Sequence, residues 1–295
     1  MPQITTPHGI RLEYETAGRA EDPAVLMVMG FGAQLVSWPR EFCEMLAAGG
    51  RHVISFDNRD CGMSQTLDGV AANLEAVGAA AQIGDFKTAQ ELAPYTLSDM
   101  AEDGLGLLAA LGIDRAHVVG ASMGGMIAQT MAIEHPERLW SLTSMMSATG
   151  EPEYGQATPE ALAKLLEPSP TDREGYIASS ASWLTWHSRR YPEAAQTRAI
   201  AAETFDRGLS PEGTQRQLAA MLTSGPRTAG LRQVNVPTLV IHGLDDTLVA
   251  PSGGERTAKL IPNAKLMLVK DMGHDRPRPL WPALTAAIIQ HTSLT

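Results

Sequence analysis

Ala116-His117-Val118-Val119, then Gly120-Ala121-Ser122-Met123-Gly124, then Gly125-Met126-Ile127-Ala128-Gln129-Thr130-Met131-Ala132-Ile133 is the most informative run in this chain. Its first part is an apolar, β-branched stretch and its last part reads as a helix. The middle is Gly-x-Ser-x-Gly at a strand-to-helix junction, which forces the serine into a sharp turn and lifts its Oγ clear of the sheet. Glycines on either side lack Cβ atoms, so strand and helix can approach closely. A serine so placed can attack a carbonyl carbon, and Ser122 is the expected nucleophile. The plainer alternative is a serine that only caps a helix.

The flanking sequence repeats a strand–helix rhythm. Residues 3–17 read as a hairpin turning at His8-Gly9, and Val25 to Met29 as a strand buried on both faces. A helix is expected from about Trp38-Pro39 to Gly49-Gly50, then a strand at Val53–Phe56. Thr96 with Asp99 opens a further helix that Gly112 closes. Strands follow at Val118-Val119, Leu139–Met146, Pro237–Ile241 and Leu266–Val269, and a helix at Trp281–Gln290 ends the series. Alternating strands and helices imply an α/β fold, a mostly parallel doubly wound sheet. Between Ser147 and Gly230 the rhythm gives way to prolines, aromatic residues and helical patterns. The expected division is a core of 1–147 and 231–295, a helical cap (lid) of 148–230, and a smaller alanine- and glycine-rich insertion at 66–94.

A serine hydroxyl needs a base within hydrogen-bond reach. Of eight histidines, His274 follows the last strand closely, at the carboxyl edge where Ser122 also sits. His242, which ends a strand beside two aspartates, is its rival. His8, His117, His135 and His291 have structural explanations. The base needs an acid to orient it, and either Asp245 or Asp246 can serve. Two donors must also face the oxyanion of the tetrahedral intermediate. The expected pair is the backbone N–H of Met123 and that of Phe31 in Gly30-Phe31-Gly32. The order Ser, Asp, His is that of α/β-hydrolases.

Four motifs in order carry a resemblance to the α/β-hydrolase fold family over nearly the whole chain. They are Met29-Gly30-Phe31-Gly32, Asp57 to Ser64, Gly120 to Gly124, and the pair Gly243 to Asp246 with Gly273-His274. The resemblance implies an inserted cap and selects Asp246, three residues after its glycine, as the acid. Two departures stand out: Met29 replaces the usual histidine before the oxyanion glycine, and Asp60 replaces a glycine. Both look similar to the serine esterase branch that contains aclacinomycin methylesterase, and they imply a carboxylesterase or methylesterase.

Bulk properties narrow the partners. With 44% hydrophobic and 19% charged residues, the 295-residue chain is expected to be a soluble globular protein. A formal charge of −10 argues against nucleic acid. Cys43 and Cys61 alone cannot build a disulfide framework, and no metal-ligand spacing is present. Met1 to Gly18 lacks the basic start and apolar run of a signal peptide, and no stretch reaches the ~18 apolar residues of a membrane span. A cytoplasmic enzyme without cofactor or metal is expected, acting on a small-molecule ester; a homodimer is compatible with the sequence. Met145, Met146, Trp183 and Trp186 are expected to line an apolar pocket, the methionines serving equally well as core filling. The same triad also suits C–C bond hydrolysis, acyl transfer or perhydrolysis. A ligand-binding receptor of this fold is the alternative outside enzymes.

Overall fold

The computed structural model describes residues 1–293. Strands β1 (Gln3–Thr5) and β2 (Arg11–Ala17) form the N-terminal hairpin, followed by β3 (Ala24–Val28), helix α1 (Arg40–Ala48) and β4 (His52–Phe56). Helices α2 (Leu74–Gln82), α3 (Phe86–Leu92) and α4 (Leu97–Ala110) lead to β5 (Ala116–Ala121), α5 (Met123–Glu134) and β6 (Leu139–Met145). The eight strands, which include β7 (Thr238–Gly243) and β8 (Lys265–Val269), lie in the order β1-β2-β4-β3-β5-β6-β7-β8. Among the described residues, only β1–β2 and β2–β4 pair antiparallel. From β4 through β3, β5, β6 and β7 to β8 every pairing is parallel, so the carboxyl ends share one edge.

The uninterrupted Val25-Leu26-Met27-Val28 run has a simple cause. Side chains alternate along a strand, and this one has an apolar layer on each face. Leu26 and Val28 join Met100, Leu105, Ile127 and Met131 of α4 and α5. Val25 and Met27 join Phe42 and Leu46 of α1, and Trp281, Leu284 and Ile288 of α12 (Trp281–Thr292). Each such side chain contributes roughly 1.5–3 kcal/mol by leaving water. Thr96 and Asp99 form the reciprocal cap of α4 that their spacing predicts, and Gly112 follows it with φ 74°.

Between β6 and β7 lie α6 (Pro159–Leu165), α7 (Arg173–Ser179), α8 (Ala194–Arg207), α9 (Pro211–Thr223) and α10 (Thr228–Leu231), while α11 (Ser252–Leu260) links β7 to β8. The 66–94 segment forms α2 and α3, whose Val77, Ala80 and Ala89 pack with Ala219 of α9. It therefore buttresses the helices between β6 and β7.

Two arginines, Arg216 buried and Arg207 mostly so, pin those helices to the loop after β4. Arg207, at the end of α8, bonds the Asp57 carboxylate, which also accepts Leu35 N–H at 2.7 Å and Met63 N–H at 3.0 Å. Arg216 of α9 makes a two-pronged bond to Asp60, at 2.8 and 2.7 Å, and donates to the Val70 carbonyl at 2.6 Å. Asp60 stands where the resemblance expects glycine, and it keeps a glycine-like φ of 63°. A short polar side chain tolerates that conformation when its own bonds hold it there. Asp60 also accepts Leu67 N–H at 2.8 Å. Burial pushes its carboxyl up, but Arg216 and Leu67 outweigh that and hold it below its ordinary value. Exchange of glycine for aspartate at this turn thus creates an anchor for α9.

Candidate active site

Ser122 sits between β5 and α5 with φ 57° and ψ −124°, a conformation rarely seen outside glycine. The flanking glycines make it affordable. A Cβ on Gly120 would collide with the Gly124 carbonyl, and one on Gly124 with the Val28 carbonyl. Ser122 N–H bonds Met145 O at 3.0 Å, and the Ser147 hydroxyl donates to Ser122 O at 2.8 Å. The turn is therefore tied to the end of β6, and its serine is half-buried.

The loops after β7 and β8 are laced together at the same edge. Leu244 N–H bonds Val269 O and Asp245 N–H bonds Met272 O, each at 2.9 Å. This leaves Asp245 half-exposed and turns Asp246 inward. One carboxylate oxygen of Asp246 accepts Leu248 N–H and Val249 N–H at 2.9 and 2.8 Å; the other accepts His274 Nδ1–H at 2.7 Å. Burial pushes the Asp246 carboxyl up, but the charge of His274 and hydrogen bonds from His242 and His274 hold it below its ordinary value. An ionised acceptor requires the proton on Nδ1, so Nε2 of His274 carries the lone pair. No hydrogen bond joins the Ser122 hydroxyl to His274 among the described residues. Nucleophile–base bonds are commonly long before substrate arrives.

His242 approaches the same carboxylate oxygen of Asp246 that His274 bonds. Its Nε2 is 2.8 Å from Val249 O and 3.4 Å from Asp246, and it is fully buried. It therefore braces the acid, whereas His274 is the imidazole directly bonded to it.

The β3 loop reaches the serine from the other side. A Cβ on Gly30 would lie 2.9 Å from Ser122 Cβ and 3.5 Å from its Oγ. Among the described residues, neither Phe31 N–H nor Met123 N–H meets a protein acceptor. The second is free because the first helical amides have no partner in their own helix. Met145 and Met146 are fully buried among the α1 and α12 side of the core. Trp183 is half-buried against Tyr176, and Trp186 is buried with its carbonyl accepting His274 N–H at 2.6 Å. A cavity of about 280 Å³ lined by Asn235, Thr238, Asn263 and Lys265 opens at the starts of β7 and β8, the edge away from Ser122. Among the described residues, no three His, Cys, Asp or Glu side chains gather to hold a metal, and no helix is long and apolar enough to cross a membrane.

Two titratable neighbours of His274 carry no signal in the sequence. Burial, with the charges of His274 and Arg276, pushes His187 down to about 4. Burial also pushes the Asp275 carboxyl up to about 6, although Ser188 N–H, Gly273 N–H and Arg276 pull it down. A carboxyl raised in this way costs stability as pH rises through 6, and the cost is absent below about pH 4. That cost is at most about 3 kcal/mol. Asp275→Asn keeps an acceptor for the two amides and never ionises. It is expected to melt higher than wild type at pH 8 and equally near pH 4; equal melting at both would refute the assignment.

A family model described as the alpha/beta hydrolase fold matches residues 23–275. Rhodomycin D methylesterase DauP of Streptomyces sp. (strain C5) is 29% identical over 319 aligned positions, spanning 98% of this chain and 97% of that protein. Among solved structures, an enol-lactonase from Burkholderia xenovorans LB400 superposes with a TM-score of 0.75 at 22% identity, covering 99% of this chain and 100% of that one. A meta-cleavage product hydrolase from Pseudomonas fluorescens IP01 gives 0.76 at 18% identity, covering 99% and 97%. At these identities the superpositions speak for the fold.

Proposed function

Because the chain belongs to the α/β-hydrolase fold family, we propose that it is a serine hydrolase of carboxylic esters working through an acyl-enzyme. Ser122, His274 and Asp246 form its catalytic triad, and Phe31 and Met123 N–H groups its oxyanion hole. The carrying observation is the 2.7 Å Asp246–His274 bond on the sheet edge that also holds the strained Ser122. As Ser122 Oγ attacks the ester carbonyl, His274 Nε2 takes its proton and Asp246 stabilises the imidazolium. The carbonyl oxygen gains charge where the two amides face it. His274 returns the proton to the departing alcohol, then takes one from the water that attacks the acyl-enzyme and passes it to Ser122 Oγ as the acid is released.

Segment 148–230 acts as a cap over this edge, a reading supported by its bonds to the loops of Gly32, Asp57 and His274. Trp183 and Trp186 line the cap side of the substrate site, whereas Met145 and Met146, fully buried, fill the core. Similarity to rhodomycin D methylesterase across both chains favours a methyl ester. The test is a panel of esters graded by acyl and alkoxy size, from p-nitrophenyl acetate to methyl esters of progressively larger acids. Turnover is expected, with methyl esters preferred within a given acyl group. A folded protein that cleaves none of them contradicts the proposal.

A further inference from the structure

The inward face of α9 is Gly213, Arg216, Gln217, Ala220 and Thr223, at helical spacing. Two of these are large and polar, and Gln217 is fully buried. A buried amide is costly unless each of its groups finds a partner. Gln217 finds both: its Oε1 accepts Gly32 N–H at 2.9 Å and its Nε2 donates to Arg59 O at 2.9 Å. One partner can only donate and the other only accept, so a single amide orientation satisfies the pair.

Gly32 belongs to the tight turn of Gly30-Phe31-Gly32-Ala33, closed by Ala33 N–H on Gly30 O at 3.2 Å. Gly32 has φ 65°, so this peptide plane can rotate readily unless something fixes it. Met29 offers the turn no hydrogen-bonding side chain. The strand end before it is held by Asn58 Nδ2 on Met29 O at 2.9 Å. Beyond it, Gln34 Nε2 donates to the carbonyls of Thr204 and Gly208 at 2.9 and 2.7 Å. Inside the turn, the bond from Gly32 N–H to Gln217 is the one side-chain anchor among the described residues.

We infer that Gln217 is a positioning residue for the oxyanion hole: by fixing the Gly32 amide from the cap, it aims the preceding Phe31 N–H at the reacting oxygen. This rests on the ester-hydrolase reading above. Catalysis is thereby coupled to cap placement, because α9 must be seated for the donor to point correctly. Displacing α9 through Arg216–Asp60 or the α2–α3 buttress would misaim the same amide.

The test compares Gln217→Met, which keeps the length but removes the acceptor, with Gln217→Glu, which restores an acceptor for Gly32 and loses the donor to Arg59. Loss of a full oxyanion donor costs about 10²–10³ in turnover, so a misaimed one should cost about 10–100-fold. In Gln217→Met, kcat is expected to fall by that factor with KM within about threefold. Affinity for an alkyl trifluoromethyl ketone, whose adduct with serine carries an oxyanion, should fall in step. Gln217→Glu should recover at least half of that loss on a logarithmic scale; if the methionine variant does not fold, Gln217→Ala, which also removes the acceptor, takes its place with the same expected loss. Unchanged kcat and ketone affinity in a folded variant that lacks the acceptor would overturn the inference, as would a loss confined to KM or melting temperature. A wild-type protein that neither cleaves esters nor binds the ketone would instead refute the serine-hydrolase reading, and this inference with it.

Discussion

Ser122→Ala is expected to lower kcat on p-nitrophenyl acetate and its short homologues by about 10⁴ or more, with little change in melting temperature. The magnitude follows from what remains. The variant keeps both oxyanion amides and the binding surface, but attack must then come from water that nothing holds in line. Stability should be nearly unaffected, because the half-buried hydroxyl makes no hydrogen bond among the described residues and Ser122 is tied in through its backbone. The strained φ of 57° persists, since it is imposed by the packing of Gly120 and Gly124. Wild-type turnover in Ser122→Ala would end the assignment. A fall of only two- to threefold would mean that another group is the nucleophile.

Asp246→Asn is expected to cost about 10³–10⁴ in kcat, the range known for the same change in trypsin-like triads. The cause is tautomeric. An ionised carboxylate demands a proton on His274 Nδ1 and leaves Nε2 basic. An asparagine amide turned toward His274 donates instead, which moves the proton to Nε2 and removes the base. The other carboxylate oxygen also matters, for it accepts Leu248 and Val249 N–H. Asparagine satisfies these amides through its own oxygen, which leaves its NH₂ facing His274. KM should change little. Full activity in Asp246→Asn with reduced activity in Asp245→Asn would reassign the acid to the neighbouring residue.

The elbow was legible because its cause is local. Gly120 and Gly124 are required by atoms within a few residues or on the adjacent strand, and the Thr96–Asp99 cap is likewise written within one helical turn. Strands buried on both faces announce themselves as unbroken apolar runs. Asp245 and Asp246 were not separable by spacing: what turns one outward is the bond from Asp245 N–H to Met272 O, between distant loops. Residues 66–94 gave no clear pattern because α2 and α3 meet their partner through Val77 and small alanines, while Ile83 is left outside. Gln217 lay beyond local reading altogether. Its partners are Gly32 and Arg59, more than 150 positions away along the chain, and a polar residue on a helix reads as solvent-facing until that helix is docked. A helix whose inward spacing includes Arg216 and Gln217 is the one available hint that a polar surface waits beneath it.

Exposure of the purified wild-type protein to a fluorophosphonate probe, followed by peptide mass spectrometry, asks whether a serine at this edge is chemically alive. One covalent adduct is expected, on the peptide containing Ser122, forming in proportion to the loss of esterase activity and much more slowly in Asp246→Asn. An adduct on a different residue, or ester cleavage that survives with Ser122 unmodified, would contradict the triad.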